Sequence, residues 1–358
     1  MNLNLFKKKD RLLGIDISAS AVKLVELSGS RQRLQVEAIA MEPLPEGAME
    51  DRNPTDPYAL GTALKRAVKA SGSRLKTAAI AVPTSNIITR TIPMPVNFGE
   101  DEIEAHILVE AAHYIPFPLE EIYLDFQVQG PSKTSADMQD VMIVASRKEN
   151  VDLREEALTE AGLKAVIVDV EVYALENTFQ QLLTVLPKTL VKDNGDTCTA
   201  MVDLGGAVTT LYVFQGRKII FTREQPFGGD QLTQAIADAY ELPKERAELA
   251  KRSGELPEDY PTTLLTPFKQ SAAEQIGHSL QFFFSSSHYN SVDQIILVGG
   301  GSLAPGLDKT VADLLAVPTK IGNPFEHIGN ATRVNRRNLL RDAPLFAVAC
   351  GLALRSFG

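Results

Sequence analysis

The feature that most constrains the fold is a pattern of strands and turns that occurs twice along the chain. Three short apolar strands are predicted between residues 12 and 39, and Asp16 lies near the end of the first. Three strands of similar length and spacing return between residues 199 and 223, and Asp203 again lies near the end of the first. Helical patterns follow each set. This internal repeat predicts two similar α/β halves with a cleft between them.

The repeat also suggests how the chain is divided. A segment between the halves alternates strand-like stretches with an amphipathic helix that ends at Pro116, and we interpret it as a small inserted α+β subdomain. The predicted parts are the first half, residues 1–83; the inserted subdomain, residues 84–165; a connecting strand and helix of the first half, residues 166–198; the second half, residues 199–342; and a C-terminal helix that returns to the first half, residues 343–358.

The composition is that of an ordinary globular protein with a mildly acidic balance. The 36 Lys and Arg residues against 45 Asp and Glu residues give a net charge of −9, which argues against nucleic acid as the main partner because phosphate binding needs a basic surface. No apolar run approaches the ~20 residues of a membrane span. The lysines at 7–9 follow a very short apolar stretch, whereas a signal peptide has the opposite order. We therefore expect a cytoplasmic protein.

Two carboxylates, one from each half, and several Gly-rich turns predict a site for a nucleotide with Mg²⁺. Backbone N–H groups of tight Gly and Ser turns bind phosphate, together with a lysine and hydroxyl groups. Mg²⁺ keeps most of its waters and is approached by one or two carboxylates, a role that suits Asp16 and Asp203. The remaining candidate residues are Ser18, Ser20 and Lys23 in the first turn, Gly205 and Thr209 in the second, and Gly299, Gly300 and Gly301, whose backbone can approach an adenine or ribose closely.

The order of these elements resembles that of the actin/Hsp70/sugar-kinase ATPase superfamily. Within it, the chain resembles the FtsA-like branch and the PilM family of type IV pilus assembly proteins, over nearly its whole length. The segments that show the resemblance are 14–17 with 22–27, 114–121, 168–171, 228–233 and 351–355. The resemblance implies duplicated RNase H-like (actin/Hsp70-type) halves around a nucleotide cleft, with an inserted α+β FtsA-like subdomain.

The resemblance also implies roles for individual residues, with ATP and Mg²⁺ as the bound groups. Lys23 matches the phosphate-loop lysine, and Gly228 with Gly229 lies in a matching segment at the start of a helix. The segment with Glu248 and Lys251 matches the helix that contacts the ribose and base. The expected catalytic residue is Glu171, which matches the polar residue that can orient an attacking water.

Three positions depart from the superfamily pattern in the phosphate turns. Ser18 stands where glycine is preferred, Ala19 replaces a hydroxyl residue, and Gly206 occupies a position that is acidic in actin. Hydrolysis depends on stabilising charge that develops late, so these changes are expected to weaken turnover more than binding. We therefore expect ATP binding with at most slow hydrolysis.

The family resemblance implies a scaffold that recruits the N-terminal cytoplasmic tail of a PilN-like inner-membrane subunit and so lies at the inner-membrane face. Other pilus-assembly subunits and cytoplasmic ATPases are further candidate partners, and the sequence does not assign the peptide contacts. The last helix lacks a basic amphipathic face, so membrane association is expected through partners. Two alternatives stay open: a sugar- or acetate-type kinase that uses Asp203 as base, and an FtsA-like filament-forming protein.

Overall fold

The computed structural model describes residues 11–45, 47–50, 52–132, 135–184 and 197–357. The lysines at 7–9 and part of the connecting segment, 185–196, lie outside the described residues. In chain order the strands are β1 (Leu13–Ile17), β2 (Ala21–Ser30), β3 (Arg33–Pro43), β4 (Met49–Glu50), β5 (Asn53–Pro54), β6 (Thr77–Val82), β7 (Ile87–Pro95), β8 (Ile122–Pro131), β9 (Met138–Arg147), β10 (Lys164–Val170), β11 (Cys198–Leu204), β12 (Thr209–Gln215), β13 (Lys218–Gln225), β14 (Gln294–Val298), β15 (Thr319–Ile321) and β16 (Gly329–Asn330).

The α-helices connect and cover these strands. In chain order they are α1 (Pro57–Ser71), α2 (Glu100–Tyr114), α3 (Lys148–Glu160), α4 (Glu171–Leu183), α5 (Gly229–Ala239), α6 (Lys244–Ser253), α7 (Thr266–Ser286), α8 (Leu307–Leu315), α9 (Arg336–Asp342) and α10 (Ala347–Ala353). None of the described helices combines the length and the apolar character needed to cross a membrane.

The predicted duplication is confirmed by the order of strands in the two large sheets. The first sheet has the order β10-β6-β1-β2-β3-β16, and the second has the order β13-β12-β11-β14-β15. In both, an antiparallel meander is extended on its first strand by parallel strands, β6 in the first sheet and β14 in the second. β1 and β11 are therefore equivalent, which places Asp16 and Asp203 at equivalent positions of the two halves.

The C-terminal helix α10 packs closely on β1 and α4 of the first half. A methyl group at Gly14 of β1 would overlap the Ala349 carbonyl, and one at Gly351 would overlap the Ala174 carbonyl of α4. The Thr178 hydroxyl on α4 donates to the Ala347 carbonyl at 2.6 Å. Gly14 thus serves helix packing in the middle of a strand, and the phosphate turn proper begins after Asp16.

The floor of the cleft is a core shared by both sheets. Phe179 of α4 stacks on Phe214 of β12, with ring centroids 3.8 Å apart. Met201 and Val298 from the second sheet belong to the same core as Val82 from the first. Because apolar surface buried in one contiguous core resists separation, α4 and its neighbours join the halves at the base while their turns face each other above it.

The inserted subdomain is a three-stranded antiparallel sheet, β7-β9-β8, covered by α2. Ile103 and Ile107 of α2 pack on Met94 and Val141 of that sheet. Two segments placed elsewhere by the sequence division pack with the first half. Helix α3, which was not predicted, packs on α1, and β16 pairs with β3. The inserted subdomain therefore consists mainly of residues 87–147.

Candidate functional site

The first turn presents an aspartate and a lysine that face each other across the β1–β2 pair. Asp16 is opposite Lys23 in the strand register, and the lysine Nζ donates to Asp16 Oδ2 at 2.8 Å and to Ser18 Oγ at 3.1 Å. The Ser18 hydroxyl in turn donates to the Ala21 carbonyl at 2.8 Å, which closes the turn. An ammonium group has three donors, so one remains for a further acceptor. Ser20 is exposed beside this turn.

The second turn presents Asp203 from β11, the strand of the second sheet that is equivalent to β1. Gly205 closes the turn by donating its N–H to the Val208 carbonyl at 3.0 Å. Burial raises the pKa of the Asp203 carboxyl to about 6; Lys23 opposes this rise and Asp16 adds to it. Lys23 and Asp16 of the first sheet therefore lie close enough to Asp203 to act on its charge. Among the described residues, the Asp203 carboxylate has no hydrogen-bond or ion-pair partner.

The turn before α5 lies against the second turn. Gly229 donates its N–H to the Gly205 carbonyl and Asp230 donates to the Gly206 carbonyl, both at 2.9 Å. A Cβ atom at Gly228 would overlap the Gly206 carbonyl, so this contact requires glycine. The buried Thr209 hydroxyl donates to the Phe227 carbonyl at 2.6 Å, which fixes the approach of the α5 turn rather than presenting the hydroxyl to the cleft.

The third Gly-rich segment follows β14 and completes the wall of the site. Gly299 has a φ of 82°, a left-handed conformation that favours glycine, and a Cβ there would overlap the Asp203 carboxylate. Gly300 is exposed, whereas Gly301 is buried and its Cα lies 3.6 Å from where a Cβ of Gly229 would stand. The sequence-predicted glycines of three separate segments therefore meet around Asp203.

Glu248 and Lys251 of α6 join this wall through α5. The Lys251 Nζ donates to Thr233 Oγ1 at 2.5 Å and to the Gly229 carbonyl at 3.3 Å, and it is ion-paired with Glu248 at 2.5 Å. Thr233 Oγ1 also donates to Glu248 Oε2 at 2.7 Å. The structure thus brings both predicted α6 residues next to the Gly228–Gly229 turn.

Glu171 occupies the first turn of α4, buried on the first-half side of the cleft. Its carboxylate is ion-paired with the Arg52 guanidinium, and Arg52 also donates to Glu224 Oε1 of β13 at 3.0 Å. Burial raises the pKa of the Glu171 carboxyl, Arg52 lowers it, and Asp16 and Asp203 raise it further. Glu171 therefore lies within the same charged cluster as the two aspartates.

Arg52 and Glu224 were not predicted from the sequence. Arg52 lies in a loop rich in Pro, Asn and Asp, 172 positions before its partner Glu224, and no spacing rule connects them. Buried Arg154, also not predicted, fixes this loop by donating to the Arg52 carbonyl at 2.7 Å. A backbone φ of 66° at Arg52, unusual for a residue other than glycine, is visible only in the structure.

The donor set of this site fits a nucleotide with Mg²⁺. Within the described part of the chain, the partly exposed Asp203 carboxylate lies near Asp16 and has no cation ion-paired with it, and closely packed glycine turns surround it on the second-half side. Carboxylates and backbone N–H groups are the groups that bind hydrated Mg²⁺ and phosphate. Among the described residues, no group of three or more His, Cys, Asp or Glu side chains is placed to hold a metal ion.

Comparison with known proteins identifies the relatives of this chain. The family model for type IV pilus assembly protein PilM matches residues 14–357. A solved structure described as the PilM-PilN type IV pilus biogenesis complex has a TM-score of 0.79 and 30% identity, covering 98% of this chain and 99% of that chain. Cell division protein FtsA of Bacillus subtilis (strain 168) is 23% identical over 348 residues, 87% of this chain and 78% of FtsA.

A second solved structure agrees in fold. The ethanolamine utilization protein EutJ from Carboxydothermus hydrogenoformans has a TM-score of 0.57 and 18% identity, covering 98% of this chain and 90% of its own. At this identity the likeness concerns the fold alone. Together with the strand orders above, these similarities confirm the predicted α/β, actin-like fold and its FtsA-like relatives.

Proposed function

Because this chain belongs to the type IV pilus assembly protein PilM family, we propose that it is an ATP-binding scaffold of that assembly. In this role it recruits the N-terminal cytoplasmic tail of a PilN-like inner-membrane subunit. The protein would then work at the cytoplasmic face of the inner membrane, held there through its partner.

The observation that supports nucleotide binding is the juxtaposition of Asp16 and Asp203 across the cleft, with glycine turns around them. Bound Mg-ATP supplies a divalent cation whose waters these carboxylates would orient. We assign the remaining candidate residues to two parts of the nucleotide, the phosphates and the nucleoside. Phosphates would be held by the turns at Ser18, Ser20, Lys23 and Gly205, with Thr209 supporting the second turn through its bond to Phe227. The nucleoside would be held by Gly228, Gly229, Glu248, Lys251, Gly299, Gly300 and Gly301.

The same geometry favours binding over turnover. Glu171, the residue expected to orient an attacking water, is ion-paired with Arg52. This ion pair opposes the rise in pKa that burial gives the Glu171 carboxyl, and it occupies an oxygen that would otherwise accept a bond from the water. Ala19 and Gly206 add no polar side chain to the phosphate turns. Both features reduce the charge stabilisation on which hydrolysis depends, so we propose slow hydrolysis at most.

Nucleotide binding is tested by calorimetric titration of the chain with Mg-ATP. We expect saturable binding that weakens by about tenfold or more in Asp16→Asn and in Asp203→Asn, because each change removes a charge that acts on the cation. Asp313→Asn, an exposed position on α8 of the second half, is the matched control and should bind as the parent chain does. A parent chain that binds no nucleotide would refute the proposal.

Recruitment by the inserted subdomain is supported by the distribution of exposed apolar side chains. Of the fourteen large apolar residues exposed among the described residues, seven lie between residues 87 and 147: Val96, Leu108, Val109, Tyr114, Phe117, Tyr123 and Val128. This segment is about a sixth of the chain, so exposed large apolar side chains are concentrated in it, and exposed apolar surface of this kind marks interaction sites. The similar PilM-PilN complex makes a PilN-like tail the preferred occupant.

The partner proposal is tested by titrating a fluorescent peptide of the PilN-like N-terminal tail. We expect binding that is lost in the double variant Val109→Ser with Tyr123→Ser and retained in Leu314→Ser. Leu314 is similarly exposed but lies on α8 of the second half, so it controls for a general loss of surface hydrophobicity. Equal binding by all three chains would place the tail elsewhere, and no binding by the parent chain would exclude the proposed recruitment.

A further inference from the structure

Arg52 joins the two halves of the molecule across the cleft. One nitrogen of its guanidinium donates to Glu224 Oε1 of β13 at 3.0 Å, and the other is ion-paired with Glu171 at the start of α4. Within the described part of the chain, Arg52–Glu224 is the only ion pair between the first half and a strand of the five-stranded sheet. Breaking or forming the Arg52–Glu224 ion pair would therefore change the contacts between the two halves outside their shared core.

The loop that presents Arg52 is held in one conformation by buried polar contacts. Its backbone adopts a φ of 66°, which persists in a non-glycine residue only where the surroundings determine it, and such positions cluster at ligand clamps and switch regions. The surroundings here are Arg154, which has no exposed surface and donates to the Arg52 carbonyl at 2.7 Å and to Asn53 Oδ1 at 3.3 Å. The guanidinium is thus presented to the cleft from a rigid support.

The same loop is hydrogen-bonded to the base of the inserted subdomain. Asn53 Oδ1 accepts a bond from Asn86 Nδ2 at 2.8 Å, and Asn86 is the last residue before β7. The Asn86 carbonyl accepts a bond from Ser146 Oγ at 3.3 Å, near the end of β9. A displacement of the Arg52 loop would therefore reach both points where the inserted subdomain joins the first half.

We propose that Arg52 is a phosphate-sensing latch: its guanidinium exchanges Glu224 for the terminal phosphate of a nucleoside triphosphate, and its loop conveys the exchange to the inserted subdomain. A guanidinium binds phosphate in the same bidentate manner as carboxylate, and Arg52 lies close enough to Asp203 to oppose the effect of burial on that carboxyl. A nucleoside diphosphate lacks the phosphate that competes for it. The latch rests on the nucleotide binding and recruitment proposed above.

The latch is tested by measuring the affinities for Mg-ATP and Mg-ADP by titration calorimetry in the full chain. Arg52→Met should lower the affinity for ATP by about tenfold and that for ADP by less than about threefold, because the lost partner is a charged hydrogen bond to one phosphate. Glu224→Gln removes the competing charge and should raise the affinity for ATP by about threefold. Arg66→Met, at an exposed arginine of α1 that is ion-paired with Glu42 on the outside of the first half, should change neither affinity.

The relay is tested by the ratio of tail-peptide affinities in Mg-ATP and in Mg-ADP. Asn86→Ala removes the side-chain bond to Asn53 but leaves the Arg154 contacts of the Arg52 loop. It should therefore keep the nucleotide preference of the parent chain but move this ratio to one. Arg52→Met leaves the buried Glu171 carboxylate without its ion-pair partner and could destabilise the fold. The thermal unfolding of this variant is therefore compared with that of the double variant Arg52→Met/Glu171→Gln. Glu224→Gln, which keeps the Arg52–Glu171 pair, tests the latch independently. A parent chain whose ratio is already one refutes the relay.

The outcomes separate this inference from the function on which it rests. A parent chain that binds no nucleotide overturns both. The latch alone is overturned if the parent chain binds nucleotide but Arg52→Met lowers the affinities for ATP and ADP equally. The same holds if Glu224→Gln leaves the affinity for ATP unchanged.

Discussion

Asp203→Asn should make the nucleotide-free protein more stable while it weakens nucleotide binding. Burial raises the pKa of the Asp203 carboxyl from 3.8 to about 6, so the folded chain holds a proton more tightly than the unfolded chain does. Between these two values the folded state binds more protons, and the free energy of unfolding therefore falls as the pH rises. Above about pH 6 the ionised carboxylate destabilises the fold in full, and below about pH 4 the effect is absent.

The magnitude follows from the two pKa values. At about 1.4 kcal/mol for each pH unit, their separation corresponds to about 3 kcal/mol at pH 7.5 and to about 1 kcal/mol at pH 4.5. The first figure is an upper limit, because the carboxylate is partly exposed and water screens it. Asparagine has nearly the same shape and no charge, so Asp203→Asn should recover most of this free energy at pH 7.5 and little of it at pH 4.5.

The assay is urea unfolding in EDTA without nucleotide, at pH 7.5 and pH 4.5, with Asp313→Asn as the exposed control. We expect a higher midpoint for Asp203→Asn at pH 7.5, a gain that shrinks at pH 4.5, and no pH-dependent gain in the control. A destabilised Asp203→Asn chain, or a gain of equal size at both pH values, would refute the reasoning. The carboxylate would then be stabilising in its own right, and its position at the cleft would need no ligand to explain it.

Three further predictions concern the framework and the other cleft residues. Gly351→Ala places a methyl group against the Ala174 carbonyl and should lower the free energy of unfolding by about 1–3 kcal/mol; an unchanged urea midpoint would contradict the close packing of α10 on α4. Glu171→Gln should slow single-turnover phosphate release by about a hundredfold while Mg-ATP affinity changes little; unaltered release would remove Glu171 from the reaction. Lys251→Met should weaken ATP and ADP binding alike, by about tenfold, as a fluorescence titration would show; a selective effect on ATP would place this lysine near the terminal phosphate.

The duplicated fold could be predicted because its signal is local and repeated. Apolar strands such as β1, which is buried along its whole length, leave few alternatives to a central sheet position. An aspartate at the end of such a strand is then carried to the edge of the sheet whatever the rest of the chain does. For this reason the sequence predicts Asp16 and Asp203 as a pair. The structure places them on equivalent strands, and the charge of Asp16 contributes to the raised pKa of Asp203.

Helix α3 escaped prediction because polar residues interrupt its buried face. Asn150 and Arg154 are buried there together with Ala157 and Leu158, so the apolar stripe that indicates an amphipathic helix is incomplete. Arg154 is buried because carbonyl groups of the Arg52 loop and of α3 itself accept its donors. A buried arginine of this kind depends on tertiary partners, and its partners in the Arg52 loop lie about a hundred positions away in sequence.

The cleft as a whole combines more acidic groups than its cations balance. Asp16 adds to the electrostatic cost of ionising both Asp203 and Glu171, and Asp203 adds to that of Glu171. The cations Lys23 and Arg52 are already ion-paired with Asp16 and Glu171. A Cβ at Gly206 would lie only 3.0 Å from the carboxylate of Asp230, so the neighbouring helix brings a further acidic group to the turn that lacks its own. Repulsion of this kind is relieved by a divalent cation that arrives with its nucleotide, whereas it opposes the approach of phosphate alone. Affinity for the nucleotide should therefore depend steeply on Mg²⁺, more than in a site where lysine and arginine are free to neutralise the phosphates.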